Sequence, residues 1–143
     1  MLFRSDGLWT VCAATSVDVV ARMALVPRTL EARGLDATPL IQAKLRRVAT
    51  PQALRAVEIL DTILHDEVGH VAIGNRWYRW LCERDGLDPL QAYARLAQEH
   101  RAPRPKPPFN LEARRAAGFD AAELAALEAA ARGTSPSKPA PTC

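Results

Sequence analysis

The chain has 143 residues, 48% of them apolar and 24% charged, enough for one domain with a sizeable core and incompatible with wholesale disorder. Its formal net charge of +3 is spread among acids and bases, with no long block of like charge that would mark a nucleic-acid arm or an acidic tail. Cys12, Cys82 and Cys143 are far apart and odd in number, which argues against a disulfide framework or zinc ribbon and for a reducing compartment. The first residues lack the basic flank and apolar run of a signal peptide, and no stretch of about 18 apolar residues is present. The expectation is a cytoplasmic protein with no membrane partner.

Ser5 or Asp6 can cap a first helix that runs to about Arg33 and stops at Gly34. Pro27 removes a backbone hydrogen bond and should kink it. Glu31 falls on the line of Val20, Ala24 and Pro27, and either points inward or is a solvated glutamate of the last turn. Thr38-Pro39 opens a short helix over 39–48, whose Lys44, Arg46 and Arg47 read as solvated charges near its C-terminus. Thr50-Pro51 opens a long helix that reaches about Arg84 and ends at Gly86.

Asp88-Pro89 opens a further helix ending near His100. The prolines of 102–109 force an extended connector. Asn110 caps a short helix closed by Gly118, and Asp120 with Glu123 forms a capping box for an alanine-rich last helix to about Arg132. The organisation expected is therefore a helical region over 1–100, a connector with two short helices over 101–132, and a disordered tail over 133–143. No strand pattern or internal repeat is visible, so the fold class is all-α.

The most informative stretch is 60–81. At 3.6 residues per turn, Leu60, Ile63, Leu64, Val71, Gly74, Trp77, Tyr78 and Leu81 share one face, expected to be buried. Glu67 and His70 fall on the same face and converge, since a three-residue step turns only about 60° around the axis. A carboxylate and an imidazole on an apolar stripe are costly unless something pairs with them. Glu-x-x-His is also the spacing by which helical bundles present an oxygen and a nitrogen ligand to a metal. Three readings stand: a metal site, a hydrogen-bonded pair that fixes helix register, or a stripe rotated so that Glu67 lies on its rim. Gly69 and Gly74 each weaken the helix, so they suggest close approach of a neighbouring helix or a metal cluster.

Elsewhere, His65, Asp66 and His100 read as surface groups. Trp77, Tyr78 and Trp80 read either as an aromatic binding platform or, as is commoner at helical spacing, as packing residues, with Trp80 against another helix or subunit. No nucleophile–base pair or phosphate loop is present. Arg28, Arg33, Arg46 and Arg47 could touch nucleic acid, but no recognised module supports it.

Several segments carry a family resemblance: DGLW at 6–9, RMALVPRTLEARGLD at 22–36, ILHDEVGHVAIGNRW at 63–77, PFNLEAR at 108–114 and AGF at 117–119. Together they resemble an uncharacterised bacterial ferritin-like family, distantly related to ferritins, rubrerythrins and a di-iron tRNA hydroxylase. In ferritin-like proteins a di-metal centre takes a glutamate from each of two helices and a Glu-x-x-His from each of two others. The resemblance implies that Glu31 is the lone glutamate, Glu67 a bridging ligand and His70 a terminal one, with iron or manganese as the metal.

Family members look longer, and this chain resembles only their C-terminal half, so it offers half of the ligand set. It is then either a truncated fragment with an incomplete site or a half-bundle completed by a homodimer; the fragment is the reading preferred here. The function expected is a di-iron carboxylate protein of unknown small-molecule substrate. The alternatives are a metal-free helical interaction module and, by kinship alone, an RNA-modifying di-iron hydroxylase.

Overall fold

The computed structural model describes residues 6–133. The cap expected at Ser5 or Asp6, Cys143 and the tail beyond Gly133 lie outside these residues or their described side chains. The chain is all-α, with no strand among the described residues and no helix long and apolar enough to cross a membrane. Its elements are α1 (Asp6–Ala14), α2 (Val19–Leu25), a π-helical turn (Val26–Glu31), α3 (Ala32–Val48), α4 (Pro51–Asp85), α5 (Pro89–Glu99), α6 (Leu111–Ala116) and α7 (Ala121–Arg132).

The first third of the chain departs from the single helix expected there. Asp18 starts α2 as a new helix by accepting from the Ala21 N–H at 2.9 Å. Pro27 does not simply bend the helix: it sits in a π-helical turn, where the Ala32 N–H reaches back five residues to the Pro27 carbonyl. Gly34 then lies inside α3 instead of ending a helix, and Pro39 lies inside it too.

The continuity of α3 through Pro39 has a local cause. Proline cannot donate to the carbonyl four residues back, that of Leu35. Asn110 Nδ2 donates to this Leu35 oxygen instead, at 3.2 Å, while Thr38 Oγ1 donates to the Gly34 carbonyl at 2.8 Å. A tertiary donor thus replaces the missing helical one, and the expected helix start at Thr38-Pro39 disappears.

The remaining elements begin and end where capping chemistry placed them. Thr50 caps the 35-residue α4, and Gly86 closes it with φ 66°. Asp88, Asn110 and Asp120 cap α5, α6 and α7 through the amides of Gln91, Ala113 and Glu123. At about 1.5 Å per residue α4 is roughly 50 Å long, and α2, the π-helical turn, α3, α5 and α6 pack on it.

Two apolar clusters form the core. In one, Val20, Ala21, Ala24 and Leu25 of α2 pack on Tyr78, Leu81 and Cys82 of α4 and on Ala92 and Leu96 of α5. In the other, Ala32 and Leu35 of α3 meet Val71 of α4 and the Ala113, Ala117, Phe119 and Leu124 group of the C-terminal segment. Gly74 is where the π-helical turn touches α4: a Cβ there would stand 2.3 Å from Pro27 Cβ. Towards its start α4 packs on α3, where Gln42 Nε2 donates to the Val57 carbonyl at 3.2 Å and to Asp61 Oδ1 at 2.6 Å.

The buried stripe of α4 is rotated from the one expected. Val71, Gly74, Tyr78 and Leu81 are buried as foreseen, joined by Ala53, Val57, Asn75 and Cys82. Ile63 and Trp77, expected inside, are 49% and 53% exposed. They belong instead to a second apolar stripe, Ile59, Ile63, Ile73, Trp77 and Trp80, that no described element covers. Steps of three, four and seven residues put His70 on this same outer face.

Candidate half-site on α3 and α4

The π-helical turn ends at Glu31, directly before α3, and the wider turn resets the register of everything after it. Glu31 is half-buried and its carboxyl is pushed above the usual range, first by burial and then by the negative charge of Glu67, with His70 opposing. The charges of both Glu67 and His70 thus act on Glu31. Glu67 also lies against α3 one turn further on, since a Cβ on Gly34 would meet its Cγ at 3.9 Å.

Glu67 and His70 stand at i,i+3 ion-pair distance without a hydrogen bond between them. His70 Nδ1 stands 3.6 Å from Glu67 Oε2, beyond hydrogen-bond length. The Glu67 side chain is 26% exposed and that of His70 65%, so His70 faces outward instead of into the core. Glu67 sits on the rim between the buried stripe and the outer apolar one. Neither Glu31 nor Glu67 has an arginine or lysine partner among the described residues.

Two carboxylates and an imidazole with no basic partner are the donor chemistry that suits iron or manganese. Taken alone they do not close a site: among the described residues no group of three or more His, Cys, Asp or Glu is arranged to hold a metal ion. Glu31, Glu67 and His70 supply donor types of this kind without being grouped to hold an ion by themselves.

The glycines divide. Gly74 marks close approach of the π-helical turn, as expected of a neighbouring helix, whereas a Cβ on Gly69 would meet nothing within 4 Å. His65 and Asp66 are exposed, as expected, but His100 is half-buried. Trp77 and Trp80 stack edge to face at 5.7 Å between ring centroids, both exposed on the outer face.

A second constellation escaped the sequence reading. Arg28, expected on a basic surface, is buried, ion-paired to Glu123, and sits 4.2 Å from the centroid of Tyr78 and 5.2 Å from that of Tyr93. Glu123 also accepts from Arg79 at 2.6 Å and closes the capping box of α7. Nearby, Arg114 donates from Nε and Nη2 to Asp36 at 3.0 and 2.6 Å, tying α6 to α3. Arg28 and Glu123 are 95 residues apart, so only the tertiary structure pairs them; the sequence showed Glu123 as a cap alone.

An uncharacterized protein of Haemophilus influenzae is 49% identical over 118 residues. The aligned region is 82% of this chain but 40% of that protein, so the chain spans less than half the length of this relative. No solved structure matches. A family model described as "Protein of unknown function (DUF455)" matches residues 3–125, which takes in both constellations, and the chain belongs to that family.

Proposed function

We propose that the chain carries half of a ferritin-like di-metal carboxylate centre. Glu31, Glu67 and His70 are the donors, and a second copy seated on the outer face of α4 supplies the matching set about a two-fold axis. The observation that supports this reading is half-buried Glu31, whose carboxyl is pushed up by burial and by the charge of Glu67, with no arginine or lysine paired to either carboxylate among the described residues. Such a pair is stabilised by a divalent cation. His70 points to the same open face, where the rest of a coordination shell would have to come from outside the chain. A bound iron pair would supply redox chemistry, and Glu31, Glu67 and His70 would hold and orient the metals.

The test is metal content on protein of known mass. After anaerobic loading with ferrous or manganous ion, a size-separated dimer should hold about one metal per chain, and Glu67→Ala should lose it while keeping its helical circular dichroism. A dimer or monomer that takes up no metal under these conditions overturns the reading.

The outer stripe of Ile59, Ile63, Ile73, Trp77 and Trp80 favours a second reading, a metal-free helical interaction module. Here the same face docks a partner helix and Glu67 merely rims it. Glu67→Ala would then leave both fold and association unchanged.

A further inference from the structure

The connector at 101–110 borders a cavity of about 410 Å³, shared with the π-helical turn, α3, α5, α6 and α7. Its size is that of a small-molecule site, which ranges over about 300–1,000 Å³. Five basic side chains line it, Arg28, Arg33, Arg104, Lys106 and Arg114, against one acid, Asp36.

Their charges are unequally matched. Arg114 is neutralised by Asp36 at 2.6 Å. Arg28 shares a single carboxylate, Glu123, with Arg79, and its Nε and Nη1 have no hydrogen-bond partner among the described residues. Arg33, Arg104 and Lys106 are exposed, and their side chains make no ion pair or hydrogen bond among the described residues. Unmatched cations gathered around one concavity focus a positive field into it.

The connector also fixes how such a charge would be met. Pro103, Pro105, Pro107 and Pro108 offer no backbone donors, which leaves the Arg104 and Lys106 side chains, with their own amides, to meet an anion there. The prolines alternate with Arg104 and Lys106 and stiffen the backbone that carries them, which lowers the ordering cost of binding. Leu30, Leu40 and Leu127 complete the lining with an apolar surface for an organic group.

We propose that this cavity binds a small phosphoester, a multiply charged anion carrying an apolar moiety. Its volume holds one small molecule, and the other basic pair of α3, Arg46 and Arg47, does not line it, which favours a metabolite over a nucleic-acid strand. The proposal is independent of the metal centre.

Calorimetric titration of the full chain with inorganic pyrophosphate at low ionic strength tests it. Saturable binding is expected, weakened about tenfold or more in Arg33→Gln/Arg104→Gln, since each charge-assisted contact contributes about that factor. Arg46→Gln/Arg47→Gln changes the net charge equally and should bind as the parent does. Glu67→Gln should also bind normally, separating the cavity from any metal held on α4. Circular dichroism verifies the fold of each variant. Absence of saturable heat, an equal loss in the Arg46/Arg47 variant, or loss in Glu67→Gln overturns the proposal. So does tighter binding of single-stranded RNA that strengthens with its length, which would make the surface a nucleic-acid face.

Discussion

Gly69 and Gly74 lie within one helix, cost it the same backbone entropy, and have opposite reasons to be there. Alanine at Gly74 would place its Cβ 2.3 Å from Pro27 Cβ and 2.4 Å from Pro27 Cγ. Proline is rigid, so the helices must separate; Gly74→Ala should destabilise by about 1–3 kcal/mol, the usual cost of overpacking. Gly69 meets nothing, so Gly69→Ala should stabilise by about 1 kcal/mol in the same urea titration. Equal effects from the two substitutions would contradict the packing described. Cys82 offers a second check at this scale. Burial raises its thiol pKa, outweighing the neighbouring Tyr78 hydroxyl and Arg28 charge that lower it. Little thiolate forms at pH 8, and the group is inaccessible. Iodoacetamide should therefore label half-exposed Cys12 in the native protein and reach Cys82 only on unfolding, as peptide mass mapping would show.

At the scale of elements, α3 is one helix because α6 repairs it. Asn110 donates to the carbonyl that Pro39 leaves unserved and caps its own helix through the Ala113 amide at 3.2 Å. Asn110→Ala removes both and should cost about 2 kcal/mol, a cap plus an orphaned carbonyl. With Pro39→Ala in place, the new amide can serve the Leu35 carbonyl, so the same Asn110 substitution should cost less; denaturant unfolding of the double-mutant cycle reads the difference. This coupling marks the limit of what the sequence discloses. Helix ends governed by local chemistry, Thr50, Gly86, Asp88, Asn110 and the Asp120–Glu123 box, were all legible. Thr38-Pro39 carried the same local signal and was misread, because the group that overrides it lies more than seventy residues away. The outcome at the candidate site has the same cause. Periodicity found Glu67 and His70 on one stretch of α4, but exposed and buried apolar stripes look alike in a sequence. Only the position of α3 shows that Ile63, His70 and Trp77 belong to the outer one.

Across the whole molecule, the long α4 is covered on one side and bare on the other. Ile59, Ile63, Ile73, Trp77 and Trp80 are each about half exposed along the bare side, an apolar strip broken by exposed His70 and of the kind that marks an interaction surface. None of these five lies in either core cluster, so replacing them removes no core packing within the chain. Ile73→Glu/Trp77→Glu should accordingly leave thermal stability of the monomer unchanged or slightly improved, while abolishing association. Sedimentation equilibrium should find the parent chain dimeric at micromolar concentration and this variant monomeric. If His70 completes a centre across that interface, metal retention should fall with association, although Glu31, Glu67 and His70 are all intact in the variant. A variant that becomes monomeric and still holds its metal would detach the centre from the interface. A parent chain that is monomeric at every concentration would leave the strip to a partner other than a second copy. The two measurements thus separate the chemistry of the half-site from the packing of the face that carries it.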